Sequence, residues 1–289
     1  PPYFAARCVR FPKLLTALDG QLHDFLQRRL HHGRLDAAYR LAREQYRQVA
    51  EVLSRTAPAE RLRRAHLTCR TTALLRPKTG EKHCGDQCAV FDAGGLTCLA
   101  LSDGMGHGNQ AALESRQAVE LLRMCLDAGY DRAQTLTAVN GMMLLAGQGE
   151  RFTTVDLFLL DLWTGKASLD KLGAAGSYLM QAEGLSLLGG DALPLGILEN
   201  VESGEKLMQL HQGDTLILLS DGVEDAYENR QSMEETIRDA LTLETAQDAA
   251  NAILTGAQSG DTAPADDQTV LVLRLIRARV DAKIEEMYQ

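Results

Sequence analysis

Leu96-Thr97-Cys98-Leu99-Ala100-Leu101-Ser102-Asp103-Gly104-Met105-Gly106-His107-Gly108 runs from an apolar, strand-like stretch straight into a glycine-rich turn. A second stretch, Thr215-Leu216-Ile217-Leu218-Leu219-Ser220-Asp221-Gly222, ends the same way. An Asp placed where a buried strand stops is an anionic oxygen donor held on a rigid edge. Two of them, distant in sequence but alike in local setting, point to a shared cluster of carboxylates. The natural occupant of such a cluster is a hard divalent cation.

The glycines after Asp103 do not form a nucleotide-binding loop. Their spacing is G-x-G-x-G rather than G-x-G-x-x-G, and no Lys-Ser or Lys-Thr follows. An Asp beside phosphates would also repel them unless a metal lay between. The glycines instead permit close backbone approach and free the Gly104 carbonyl to act as a ligand.

Working outward, short strands and paired helices alternate. Strands are expected at His66–Leu75, Gln87–Asp92 and Leu96–Ser102, the last two joined by Ala93-Gly94-Gly95. Helices follow at Asn109–Ala128 and Asp131–Leu145, the second N-capped by Asp131. Strands return at Thr153–Leu162, Lys166–Leu172, Ser177–Glu183, Leu185–Leu188, Glu205–His211 and Thr215–Ser220. Helices near Ser232–Leu241 and Thr245–Gln258 precede a final strand, Gln268–Ile276. Hairpin-joined strands with paired helices do not fit the β-α-β-α order of a doubly wound sheet. They fit an α+β fold in which two antiparallel sheets lie between helix pairs.

Residues 1–65 differ in composition. Leu22, Phe25 and Leu26, then Leu35, Ala38, Tyr39 and Ala42, then Tyr46, Val49, Ala50 and Leu53 recur at helical spacing, with a break at His31-His32-Gly33. Such an apolar stripe needs a partner surface, either the following domain or a second copy of the chain. The division expected is a helical regulatory or dimerisation segment over 1–65, a catalytic domain over 66–280 and a C-terminal tail over 281–289.

Bulk properties narrow the function. The chain has 289 residues, 45% hydrophobic and 24% charged, enough for a full core. A net charge of −9 argues against a nucleic-acid binder. No apolar run reaches the roughly 18–20 residues that span a bilayer, and no signal peptide is evident. Because the chain begins Pro1-Pro2, it is expected to be a piece of a longer protein whose other parts could carry membrane segments. Six scattered cysteines read as reduced thiols rather than staples. His83-Cys84 and Cys88 lack a second pair to complete a zinc site.

Two further carboxylates share the strand-edge setting. Asp86 precedes the strand Gln87–Asp92, and Asp266-Asp267 opens the last strand. Asp-Gly alone is common turn chemistry, so the argument lies in the joint pattern. Carboxylates brought together cannot all stay ionised without a counter-charge, and an oxygen-only set favours Mg²⁺ or Mn²⁺ over zinc.

Gly85-Asp86, Ser102-Asp103-Gly104-Met105-Gly106-His107-Gly108, Ser220-Asp221-Gly222 and Asp266-Asp267-Gln268-Thr269-Val270, in this order, resemble the metal-dependent serine/threonine phosphatases of the PPM (PP2C-like) class. The glycine-run form is similar to that of the stage II sporulation protein E family. The resemblance covers about residues 66–277, including Thr153-Thr154-Val155-Asp156-Leu157 and Leu193-Pro194-Leu195-Gly196-Ile197. It implies a PP2C-like β-sandwich flanked by helix pairs and holding two Mn²⁺ or Mg²⁺ ions. It implies that Asp86, Asp103, Asp221 and Asp266 are the catalytic, metal-ligating carboxylates, with Gly104 a backbone ligand and Asp267 a less certain neighbour. The implied substrate is a phosphoserine on an anti-anti-sigma factor, whose dephosphorylation activates a sporulation sigma factor. The resemblance also implies a regulatory helical region before the domain, a homodimer through helices, and a full-length protein at the cytoplasmic face of the membrane. The two helices after Asp103 are the candidate activity switch. Two alternatives stay open: a stress-response phosphatase acting on a paralogous anti-anti-sigma factor, and a catalytically dead scaffold that only binds partners.

Overall fold

Leu216, Ile217, Leu218 and Leu219 are all buried, although they alternate between two faces of a strand. Antiparallel sheets usually leave one face to water. Continuous burial therefore means that both faces are covered, and the architecture follows from that. A computed structural model describes residues 67–104, 106, 108–147, 152–201, 204–258 and 264–278. The expected helical segment over 1–65, the tail over 281–289, Met105 and His107 lie outside the described residues.

One sheet contains β1 (Leu67–Arg76), β6 (Ser177–Gln181), β7 (Gly184–Leu188), β9 (Thr215–Leu219) and β10 (Gln268–Arg277), in the order β1-β10-β9-β6-β7. The other contains β2 (Asp86–Ala93), β3 (Leu96–Asp103), β4 (Val155–Leu160), β5 (Lys166–Leu172) and β8 (Lys206–Gln209), in the order β2-β3-β4-β5-β8. Every pairing is antiparallel. Helices α1 (Gly108–Asp127) and α2 (Arg132–Gly147) follow β3; α3 (Asp221–Glu224), α4 (Arg230–Leu241) and α5 (Ala246–Gly256) follow β9.

Three apolar layers hold these elements together. Leu99, Leu101, Phe158, Leu169, Leu218 and Leu271 fill the space between the sheets. Cys98, Ala100, Leu122, Val139, Leu157 and Leu172 join the β2–β8 sheet to α1 and α2. Ile217, Leu219, Ile237, Ile253, Val270 and Val272 join the other sheet to α4 and α5. Strand β10 shows the logic: Val270 and Val272 face the helices while Leu271 and Leu273 face the other sheet.

Local signals agree with the elements. Asp131 accepts the Gln134 N–H at 2.8 Å ahead of α2. Asn229 and Thr245 cap α4 and α5 through the N–H groups of Ser232 and Asp248. One reading differs in detail. The single turn α3 was not anticipated, so Asp221 heads a helical turn rather than trailing a strand. Asp266 and Asp267 stand just before β10, which starts at Gln268. Cys98 and Cys125 are buried free thiols, as their apolar settings suggest. Among the described residues, no helix is long and apolar enough to cross a membrane.

Packing predicts where substitutions hurt. Phe158 is fully buried between the sheets, whereas Leu207 on the edge strand β8 is 77% exposed. Phe158→Ala should cost about 3–5 kcal/mol in urea unfolding, and Leu207→Ala no more than about 0.5 kcal/mol. Equal costs would contradict the layer assignment.

Candidate metal centre

Antiparallel pairing of β2 with β3 sets Asp86 directly opposite Asp103 at the open end of the hairpin. The other sheet brings Asp221 to the same end through β9, and Asp266 and Asp267 through the approach to β10. Asp103 lies within electrostatic reach of Asp86, Asp221 and Asp266 together. The four anticipated carboxylates, scattered over 180 residues of sequence, thus share one rim. They grade from floor to mouth: Asp86 is buried, Asp103 half-buried, and Asp221 and Asp266 exposed. Asp267 is buried beneath them and accepts the Lys78 N–H at 2.8 Å.

Both serines of the Ser-Asp-Gly turns are buried, and each anchors its Asp to a neighbouring segment. Ser102 Oγ lies 2.8 Å from Thr153 Oγ1, and the Thr153 hydroxyl donates to the Asp103 carbonyl at 2.5 Å. Thr154 adds two bonds: its N–H donates to the Asp103 carbonyl at 3.0 Å, and its Oγ1 accepts the Asp103 N–H at 3.1 Å. Ser220 Oγ accepts the Thr269 N–H at 2.8 Å, just past Asp266-Asp267. Sequence reasoning missed these clamps. Their signal was the Ser before each Asp together with Thr153-Thr154 and Thr269 at strand ends.

The glycines serve packing. A β-carbon on Gly104 would lie 2.1 Å from the Ala111 carbonyl of α1, and one on Gly222 would lie 2.1 Å from the Asp267 carbonyl. Each Asp is therefore followed by a residue over which another backbone passes at contact distance. By contrast, Gly106 adopts φ +89° with open space around it, as expected for a bare loop.

Electrostatics single out the cluster. Burial pushes the Asp86 carboxyl up to about 6, against the polar influence of Thr269, Ser220 and Asp103. Yet neither Asp86 oxygen has a hydrogen-bond partner, and Asp267 Oδ2 has none either; the nearby hydroxyls polarise Asp86 without bonding to it. Asp103 is pushed up to about 9 by burial, then by the charges of Asp86 and Asp221. Asp221 is raised by partial desolvation and by the charges of Asp266 and Asp225. Buried carboxylate oxygens with no donor, among like charges, are what a hard cation satisfies. The donors are oxygens alone, which suits Mg²⁺ or Mn²⁺. Among the described residues, no group of three or more His, Cys, Asp or Glu side chains stands placed to hold a metal ion, so the rim carboxylates would have to turn inward onto an ion. The Cys84 thiol, pushed up to about 12 by burial and by Asp86, stays protonated beside the cluster.

Comparison with known proteins adds to this geometry. A family model described as stage II sporulation protein E (SpoIIE) matches residues 93–276. The chain is 29% identical over 168 residues to stage II sporulation protein E of Bacillus subtilis (strain 168), covering 55% of this chain and 20% of that protein. It is 31% identical over 140 residues to the protein of the same name from Priestia megaterium, covering 48% and 24% respectively. The chain therefore spans about a fifth to a quarter of the relatives it matches. It is also similar, at 27% identity and TM-score 0.66, to a solved structure of the PP2C phosphatase domain and a fragment of the regulatory domain of SpoIIE from Bacillus subtilis, with 74% of this chain and 65% of that one covered.

The raised carboxyls make a prediction with a definite sign. Between the ordinary Asp value of 3.8 and about 9, Asp86 and Asp103 together hold more protons in the folded metal-free domain than in the unfolded chain. Its stability is therefore greatest at the acid end of that window and is lost as pH rises through the folded values. The Tm of the EDTA-treated protein should fall between pH 6 and pH 9, and Mn²⁺ should flatten the slope. A metal-free Tm that rises over this interval would contradict the cluster electrostatics.

Proposed function

This chain belongs to the stage II sporulation protein E (SpoIIE) family, and on that footing we propose that it is a metal-dependent protein serine/threonine phosphatase. The carrying observation is Asp86, buried with both carboxylate oxygens unpartnered, set opposite Asp103 and within reach of the rim carboxylates. Asp86, Asp103, Asp221 and Asp266, with the Gly104 carbonyl, would hold two Mn²⁺ or Mg²⁺ ions. When bound, such ions activate water as a nucleophile at neutral pH and screen the charge of a phosphate monoester.

The protein's own residues divide the remaining work. Asp86 forms a buried floor with the half-buried Asp103 opposite it, where an added positive charge is felt strongly. Asp221 and Asp266 stand at the mouth, where a phosphoserine side chain can arrive from solvent. Thr153 and Thr154 fix the backbone of Asp103, so only its side chain has to turn onto an ion. A thiol nucleophile has no part in this reading, since the neighbouring Cys84 is held protonated.

The substrate we assign is a phosphoserine of an anti-anti-sigma factor, with release of a sporulation sigma factor as the outcome. Family membership supports this assignment. Regulation and homodimerisation are assigned to residues 1–65, whose apolar spacing predicts helices. The packing of α1 on Gly104 supports α1 and α2 as the moving part that adjusts Asp103. Location at the cytoplasmic face of the membrane would come from parts of the protein outside this chain.

Asp103→Asn and Asp221→Asn should each lower turnover of a phosphoserine peptide about 10²–10³-fold, the scale of losing one preorganised electrostatic group, while far-UV circular dichroism stays unchanged. EDTA should abolish turnover and Mn²⁺ restore it. Turnover that survives EDTA, or either substitution at saturating Mn²⁺, would exclude the assignment.

A further inference from the structure

Lys171 is the one buried cation among the described residues. Its Nζ lies 2.6 Å from Asp156 Oδ1 and donates to Ser177 Oγ at 2.8 Å; Ser177 Oγ lies 3.3 Å from Asp156 Oδ2. All three side chains are at most 1% exposed. Asp156 and Lys171 are opposite one another on β4 and β5, and Asp156 is also opposite Leu101 on β3. Their neighbours along the same faces, Phe158, Leu169 and Leu101, belong to the layer between the sheets. Ser177 starts β6 in the other sheet. A closed polar triad therefore joins the two sheets inside an apolar layer, two residues along β3 from Asp103.

Both arms of the triad lead to the rim. On one side, Asp156 follows Thr153 and Thr154, the clamp on the Asp103 backbone. On the other, Lys171 and Ser177 bracket the crossover Gly173-Ala174-Ala175-Gly176. Gly173 donates its N–H to the Ala192 carbonyl at 2.8 Å. Gly176 donates its N–H to Glu224 Oε2 at 3.2 Å, in the turn α3 that Asp221 heads. A cavity of about 10 Å³ is lined by Asp103, Thr154, Ala174, Ala175 and Asp221 together, so the crossover forms the wall shared by the two carboxylates.

We propose that Lys171, Asp156 and Ser177 are positioning residues: a buried cross-sheet strut that sets the separation of Asp103 from Asp221 and thereby the affinity for divalent metal. The proposal rests on the metal-site reading above. Stability alone does not account for the triad, because well-packed apolar groups commonly replace a buried ion pair at no loss. Geometry does account for it. A Lys–Asp–Ser cluster has one satisfied arrangement, whereas apolar side chains would let the two sheets settle at a range of offsets.

The test uses the full chain with Asp156→Leu and Lys171→Met combined, which removes both charges together. Mn²⁺ binding is measured by isothermal titration calorimetry alongside thermal unfolding. The expected result is a Tm close to the parent's with Mn²⁺ bound about 10–100-fold more weakly, the usual effect of losing groups that orient metal ligands. Turnover should recover at saturating Mn²⁺. A folded double variant with the parent's Mn²⁺ affinity would overturn the strut. Should the double variant fail to fold, Ser177→Ala keeps the ion pair and is expected to weaken Mn²⁺ about fivefold, as for one lost hydrogen bond; unchanged affinity there would overturn it equally. A folded parent chain that binds no Mn²⁺ would overturn the metal-site reading and the strut together. A parent whose Mn²⁺ binding is lost in Asp103→Asn, with no effect of the strut variants, would overturn the strut alone.

Discussion

Carboxylates gathered at one end of a sandwich repel one another, and the surrounding structure has to hold them against that repulsion. Asp86 loses most of its solvent and gains no hydrogen bond. Asp103, opposite it, is pushed up to about 9 by burial and by its neighbours' charges. Left to themselves, such groups would splay apart or take up protons. Here they are fixed by strand pairing on one sheet, by Ser–Thr clamps behind each Asp, and by backbone packed at contact distance over Gly104 and Gly222. The fold supplies the strain and a divalent cation would relieve it.

The four-layer arrangement makes that restraint possible. Each sheet is covered on both faces, so neither can bend freely to separate its acidic end from the other's. The apolar layer between the sheets ties them to one another through Leu99, Phe158, Leu169, Leu218 and Leu271. The triad of Asp156, Lys171 and Ser177 is a polar exception in that layer, and it lies close to the rim rather than at the distant end.

Much of this was legible in the sequence because the relevant signals are local. Thr215–Ser220 and Gln268–Ile276 read as buried strands from their apolar stretches, and Asp131 marks a helix start by its capping chemistry. The acidic rim was legible because four Asp residues repeat one setting, a strand terminus beside a turn. What was not legible depends on register and on contacts between distant segments. No local pattern says that Asp86 faces Asp103 across a hairpin, since a one-residue slip would turn them to opposite faces. Nothing local in the sequence sets Lys171 apart from other charged residues. Its burial arises only when Ser177 from the other sheet and Asp156 from the next strand close around it. The turn α3 escaped notice because four residues carry too little periodicity to register.

The central claim is that this carboxylate rim is a divalent-metal centre. Anomalous diffraction at the manganese absorption edge, from crystals of the chain soaked in Mn²⁺, tests it directly. The account predicts anomalous peaks enclosed by Asp86, Asp103, Asp221 and Asp266, with those carboxylates turned inward. Manganese found only elsewhere on the protein, or a rim left without anomalous density at saturating Mn²⁺, would contradict it.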